Sequence, residues 1–249
     1  MNKTLEIREC ATLDQLSECL DLQREVFDLP EVELSPVRHF VVTKNAGGFT
    51  LGAYDGDRLA GYVLSVPAFM RGERAFYSHM TGVRKEYQSS GVGRQLKWAQ
   101  RQRALAEGVK YIKWTFEPVK ARNGYFNLEK LGAIVSEYQR NFYGTDYAVS
   151  PESGKQIGLQ SDRLFAEWHL ESEKVKTLAD GGHWVETRMP EAEIEIVNDW
   201  NSLVESDPQV GLDLQLRVRE QFEAAIAKEL FAGGFVRDEE HPRYLLYSK

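Results

Sequence analysis

Two serines and two glycines stand together in Gln88-Ser89-Ser90-Gly91-Val92-Gly93, directly ahead of a helix-forming run. A diphosphate needs several hydrogen-bond donors aimed at one point. Backbone N–H groups at a helix N-terminus supply them, and the helix dipole adds positive potential. Small residues let the backbone approach the anion closely. Arg84, Lys85 and Arg94 surround the segment with positive charge. It therefore reads as a pyrophosphate-binding loop set between a strand and a helix. A plain glycine turn leading into an amphipathic helix would use the same residues, so the surroundings must decide. The dinucleotide-binding fingerprint is excluded, because no third glycine follows Gly93 at the required place.

The elements that must position the loop follow from periodicity and turn residues. Leu5-Glu6-Ile7 predicts a short strand. Thr12 offers an N-cap for a helix to about Phe27, with Leu13, Leu16, Cys19, Leu20 and Val26 as its apolar set. Pro30 and Pro36 predict a loop over Asp28 to Pro36. Phe49 to Tyr54 and Arg58 to Val66, joined by Asp55-Gly56-Asp57, predict a hairpin. Ala75 to Val83 predicts the strand that feeds the loop, and a helix from about Val92 to Glu107 ends at Gly108. Tyr111 to Phe116 reads as strand, and Gly124 to Leu131 as a helix closed by Gly132. Ile134 to Tyr143 and Arg163 to Leu170 read as strands flanking a polar, turn-rich stretch from Gly144 to Ser161. Glu171 to Gly182 reads as a linker. Strands at Trp184 to Met189 and Ile194 to Val197 follow, then a helix from Leu212 to Leu230 capped by Gly233-Gly234. Phe235 to Asp238 and Tyr244 to Tyr247 form a terminal hairpin. This order predicts a mixed α/β layer rather than a strict βαβ repeat.

The chain's 249 residues suit one large domain or a standard domain with an appendage. The expectation is a domain over residues 1–170 and a small α+β extension over 171–249 packed on it. The composition, 42% hydrophobic and 28% charged, is that of an ordinary globular protein. A net charge of -7 disfavours nucleic acid as a partner, though a local basic patch can still serve an anionic cofactor. No run approaches the roughly 18 apolar residues of a membrane helix. Met1 to Arg8 has no apolar signal core, so a cytoplasmic location is expected. Cys10 and Cys19 lack ligand spacing and a nearby His, so no metal is expected and both should be reduced thiols.

The pattern Val83-x-x-x-x-Gln88-x-x-Gly91-x-Gly93 resembles the Q/R-x-x-G-x-G/A signature of the GNAT superfamily of N-acetyltransferases. The resemblance covers roughly residues 3–170. It implies a GNAT-like mixed, mostly antiparallel central sheet flanked by helices. It also implies that Gln88, Ser89, Ser90, Gly91, Val92, Gly93 and Arg94 hold the pyrophosphate of acetyl-CoA or another acyl-CoA, succinyl-CoA included. Trp114-Thr115-Phe116-Glu117-Pro118, Arg122-Asn123-Gly124-Tyr125-Phe126-Asn127 and Lys130-Leu131-Gly132 look like the family's strand, loop and short helix on the cofactor's far side. There Asn123 or Asn127 would meet the pantetheine arm and Phe126 would pack on it. Asn123 equally suits a helix N-cap, and Phe126 a core position. Ser78-His79-Met80, Gly91 to Lys97 and Asn141-Phe142-Tyr143-Gly144 look closest to a bacterial branch that carries a similar C-terminal extension.

In that family a splayed central strand offers a backbone N–H to the thioester carbonyl, and the matching segment is Thr81, Gly82 and Val83. Acyl transfer requires the amine to lose a proton, the carbonyl to be polarised and the leaving thiolate to be protonated. Ser78 to Val83 contains no carboxylate where the family often has one. His79, with an ordinary pKa of about 6.5, could take the proton, or could be a hydrogen-bonded structural histidine. The family's usual acid, a Tyr two residues before the K-x-G segment, is replaced by Leu128. Tyr125 or Tyr143 would then substitute, or positioning alone would drive transfer. Arg163 and Arg140 are candidates to meet a carboxylate. The resemblance points to a small amine or amino-acid-like acceptor. Two other readings stand beside it: a CoA-binding module without catalysis, and a protein acetyltransferase acting on lysines or N-termini. The tail from Glu171 would either close the acceptor pocket or build a homodimer.

Overall fold

A computed structural model describes residues 5–27, 29–144 and 159–248. They pack as two compact units, residues 1–114 and 115–249. In the first unit, Thr12 caps helix α1 (Leu13–Val26) as its type suggests. Its Oγ1 accepts the Gln15 N–H at 3.3 Å, and the Gln15 side chain returns to the Thr12 N–H at 3.1 Å. This reciprocal capping box satisfies two of the donors that a helix start leaves open. The strands of the unit are β1 (Glu6–Glu9), β2 (Phe49–Asp55), β3 (Arg58–Met70), β4 (Glu73–Val83) and β5 (Tyr111–Phe116), in that order across the sheet. All their pairings are antiparallel except the last, β4 with β5. Helix α2 (Val37–Asn45) follows α1, and α3 (Val92–Ala106) follows β4. Leu16, Cys19 and Leu22 of α1 and Phe40 of α2 bury against Tyr54, Leu59, Tyr62 and Leu64 of the sheet. Cys10 and Cys19 are free thiols in that core, their sulfurs 3.9 Å apart.

The second unit begins with α4 (Ala121–Tyr125), which runs on into a π turn over Phe126–Lys130. Its strands are β6 (Ile134–Gln139), β7 (Arg163–His169), β8 (Ala192–Glu195), β9 (Phe231–Val236) and β10 (Arg243–Tyr247). They lie in the order β7-β6-β9-β10-β8, antiparallel at each step. Helices α5 (Glu173–Ala179), α6 (Trp200–Ser206) and α7 (Pro208–Ala227) complete the unit. Asp207 caps α7 through the N–H groups of Gln209 and Val210, and Pro208 sits at the first helical position, where no N–H is needed. A buried ion pair ties α7 to the chain ahead of β7: Arg219 grips Asp162 with two hydrogen bonds of 2.9 Å. The division expected near residue 170 falls inside this unit, since β6 and β7 pair into one set with β9, β10 and β8.

Several local expectations differ from the structure. The loop expected over Asp28 to Pro36, of which Asp28 lies outside the described residues, holds a 3₁₀ turn at Glu31–Glu33, and the unforeseen α2 follows it at once with Pro36 as its N-cap, a place that tolerates a missing N–H. The linker expected over Glu171 to Gly182 contains α5, capped by Ser172 on the Val175 N–H. Trp184 to Met189 is not strand, and the strand expected over Ile194 to Val197 is β8, two residues earlier. Gly233-Gly234 lies within β9 rather than capping a helix, because Lys228 ends α7 and Glu229 turns the chain with φ +61°. Strand β6 stops at Gln139, as Asn141 adopts φ +43°. Most of the turn-rich stretch from Gly144 to Ser161 lies outside the described residues.

Candidate active site

Strand β4 is built to do two things at once. Its ladder with β5 holds Phe76 opposite Ile112 and Tyr77 opposite Lys113. Beyond that pair β4 runs on for Ser78–Val83 while still bonded to β3 on its other side. The two parallel strands thus part like a fork, with the expected Thr81, Gly82 and Val83 on the open prong. On the β3 side, Ser65 opposes Ser78 and Leu64 opposes Met80, so His79 is one extra residue. That is a β-bulge, which re-aims side chains. Ser78 faces α3, where its hydroxyl receives Lys97 Nζ at 3.0 Å. Met80 and Gly82 face the α1 side: Tyr62 hydroxyl reaches the Met80 sulfur, and a Cβ on Gly82 would lie 2.9 Å from Leu22. His79 joins them on that face, since Nε2 lies 3.2 Å from Ser35 Oγ and its ring meets the His39 ring edge-on at 5.5 Å. Burial, reinforced by His39, holds the His79 pKa below its ordinary value. The imidazole is therefore neutral at pH 7 and able to accept a proton. The absence of a side chain at Gly82 is explained by α1 lying against it.

The loop after β4 is braced by its own side chains. Gln88 Nε2 donates to Val83 O at 3.0 Å, and Ser90 Oγ donates to Tyr87 O at 2.5 Å. Tyr87 hydroxyl donates to Asp55 at 2.8 Å. Ser89 at φ +61° and Gly91 at φ +91° both take the left-handed conformation. Gly91 is the N-cap of α3 and has no side chain to cap it, so the first N–H groups of that helix receive no bond from their own N-cap residue. A Cβ on Gly93 would meet nothing closer than Val83 at 3.8 Å. The protein itself does not require glycine there, and the space over the backbone is open. Gln88, Ser89, Ser90, Gly91 and Arg94 are exposed, Gly93 is partly so, and Val92 is buried as the anchor of the helix. Of the flanking cations, Arg84 is spent within the unit, bonded to Glu25 and to Leu59 O. Lys85 and Arg94 stay exposed. An exposed, uncapped helix start between two cations, at the end of an open strand edge, fits a diphosphate and a chain that pairs with β4.

Lys97 is one residue that the sequence reading missed. It is 2% exposed and reaches Ser78 Oγ, Gln100 Oε1 at 2.7 Å and the face of Trp114 at 3.7 Å. Ser78 and Trp114 are the first residues past the β4–β5 ladder, so the amine sits at the vertex of the fork. Burial pushes its pKa well below that of an ordinary lysine. The signal was present: Val92, Leu96, Gln100 and Ala104 mark the buried face of α3, and Lys97 falls beside Leu96 and Gln100 on it. Ser35 and His39 were missed with α2.

The other expected residues belong to the second unit. Asn123 lies inside α4 rather than at its cap, which is Lys120. Phe126 is half-buried, and Asn127 is buried in the π turn, where its carbonyl accepts the Ala133 N–H at 3.0 Å. Tyr125 is flanked by Lys130 at 5.0 Å and Arg237 at 5.4 Å. Tyr143 is exposed, its hydroxyl 3.2 Å from Thr115 Oγ1 and its ring under Arg163. Arg140 already holds the Glu223 carboxylate bidentately.

The profile of the acetyltransferase (GNAT) family matches residues 13–133. Among solved structures, a putative acetyltransferase from Acinetobacter baylyi aligns over 68% of this chain and 94% of its own, at 17% identity and TM-score 0.52. A Bacillus subtilis acetyltransferase solved with CoA aligns over 67% and 99%, at 19% identity and TM-score 0.50. The ribosomal-protein-S18-alanine N-acetyltransferase of Escherichia coli aligns over 66% and 93%, at 14% identity and TM-score 0.50. At these identities the likeness is one of fold. No curated protein matches the sequence.

Proposed function

Residues 13–133 belong to the GNAT acetyltransferase family, an acyltransferase class of enzyme, and from that premise we propose that this chain moves an acetyl or other short acyl group from an acyl-CoA to the amine of a small, amino-acid-like molecule. The observation that carries the reading is the uncapped start of α3 at the end of the open β4 edge. In this reading the amides of Gly91 to Arg94 hold the pyrophosphate, with Lys85 and Arg94 as neighbouring cations. The open edge over Thr81, Gly82 and Val83 pairs with the pantetheine amides and offers an N–H to the thioester carbonyl. Asn123 and Phe126 are its candidate pantetheine contacts, with Asn127 supporting them from within the turn. The bound acyl-CoA supplies an acyl group activated as a thioester. His79, neutral and on the face of α1 and α2, takes the proton that the amine sheds as the C–N bond forms. Leu128 stands where the family's acid is usually found, so Tyr143 or Tyr125 protonates the thiolate, or solvent does.

Thermal unfolding with CoA, acetyl-CoA and succinyl-CoA tests the first half. The expected result is a rise in Tm with each, and no rise with any of them removes the reading. Release of free thiol across a panel of amines, amino acids and short peptides tests the second half. Release with small amines alone supports the reading. Release only with peptides makes the acceptor a protein, and no release with any acyl donor leaves a binding module.

A further inference from the structure

A neutral imidazole carries one proton on one of two nitrogens, and only the bare nitrogen can act as a base. The surroundings of His79 bear on which one that is. Its Nε2 lies 3.2 Å from Ser35 Oγ. Ser35 is held by both of its backbone polar groups: its N–H donates to Gln23 Oε1 at 2.9 Å, and Gln23 Nε2 donates to its carbonyl at 3.2 Å. Gln23 is wholly buried on α1, and Ser35 is itself buried. One side-chain amide thus pins the segment that enters α2 and fixes the origin of the Ser35 hydroxyl. From the other side, the bulge fixes the origin of the His79 side chain. The titratable group that faces His79 is His39 on α2, edge-on, with its own Nε2 buried and without a hydrogen-bond partner among the described residues.

A hydroxyl can either donate to Nε2 or accept from it, and the two cases differ chemically. If Ser35 donates, Nδ1 carries the ring proton and His79 offers no lone pair to an amine. If Ser35 accepts Nε2–H, Nδ1 is bare, and the same hydrogen bond survives when the ring becomes imidazolium. Resting on the reading of His79 as base, we propose that Ser35 is its positioning residue: Ser35 Oγ accepts the Nε2–H of His79, and Nδ1 is the atom that takes the proton from the acceptor amine. The amine proton passes to Nδ1 as the C–N bond forms, the C–S bond breaks, and its electron pair leaves on sulfur as the thiolate. Gln23 acts one step further back, by holding Ser35 in place.

The full chain labelled with 15N-histidine shows the tautomer directly by NMR, with His79→Gln assigning the signals. The expected wild-type ring is protonated at Nε2 and bare at Nδ1. Ser35→Ala should give a mixture of tautomers and lower kcat by about 10-fold, with KM for acyl-CoA unchanged. Ser35→Thr should restore both. A wild-type ring protonated at Nδ1 overturns the positioning role, as does a Ser35→Ala chain with wild-type tautomer and kcat. An Nε2–H ring together with full turnover in His79→Gln overturns the base assignment instead, and the catalytic half of the proposal with it.

Discussion

Two glycines two residues apart, Gly91 and Gly93, do different jobs. Gly91 is needed by the fold, since an L side chain at φ +91° is strained wherever it points. Gly93 is not, because a Cβ there has room. Gly93→Ala should therefore keep the Tm within a few degrees and weaken CoA binding by an order of magnitude or more, measured by calorimetric titration. Unchanged affinity would remove the loop from cofactor binding. His79 gives a pH prediction with a definite sign. Its folded pKa lies below the unfolded value of about 6.5, so the unfolded chain binds more protons as pH falls through that range. Its contribution to stability is complete above about pH 6.5 and is lost as pH falls through the depressed pKa. The acid limb of kcat should fall in the same region. Denaturant unfolding of wild type and His79→Gln at pH 7 and pH 5 checks this: the wild type should lose the larger share. Lys97→Ala would empty the vertex of the fork and strand Gln100 Oε1. A loss of about 2–4 kcal/mol in urea unfolding is expected.

Elements were legible where a local rule and the global packing agree. Thr12, the Asp55-Gly56-Asp57 turn and the strand feeding Gln88 to Gly93 each announce themselves in a few residues. Helix α2 was not legible, because Pro36 reads as a breaker unless it is known to stand at a helix start, and the apolar residues Val37, Phe40, Val41 and the exposed Val42 are too few to set a period. Helix α5 hid in a charged stretch for the same reason: of its seven residues only Val175 and Leu178 are buried. The histidine cluster needed α2 to be visible, so His79 could be named from sequence while its partners Ser35 and His39 could not. The π turn after α4 was likewise invisible, being a matter of one extra residue per turn. That helix makes a prediction at its own scale. A Cβ on Gly124 would lie 2.7 Å from the Phe235 ring and 2.9 Å from the Tyr244 hydroxyl. Gly124→Ala should therefore push α4 off β9 and β10 at a cost of about 1–3 kcal/mol, read as a fall in Tm.

Within the second unit, backbone pairing rather than composition decides what holds together across residue 171. The charged stretch near residue 171 looks like a place to cut, yet β6 before it bonds to β9 after it at Val135 and Ala232. A chain ending at Leu170 should consequently lose the Arg219 partner of Asp162 and the strand beside β6. Circular dichroism of the shortened chain should show less strand than its sequence share, and its unfolding should lose cooperativity. A shortened chain that melts sharply would show that the extension is a true appendage. A net charge of -7 gives an anionic cofactor no overall attraction, so its binding must come from local geometry. Salt should therefore weaken it far less than it weakens association driven by a basic surface.

The bulge at His79 also has a meaning for counting. Along a regular strand, odd and even positions keep to their own faces, and β3 does so opposite the bulge: Tyr62 and Leu64 on one side, Ser65 on the other. In β4 the rule changes partway, with Ser78 turned toward α3 and Met80 and Gly82 toward α1. Any comparison of this strand with an unbulged one must therefore carry a one-residue gap at 79. Deleting that single residue would do more than remove an imidazole. The rest of β4 would have to choose between keeping its partners on β3 and delivering its last residue, Val83, where the loop begins.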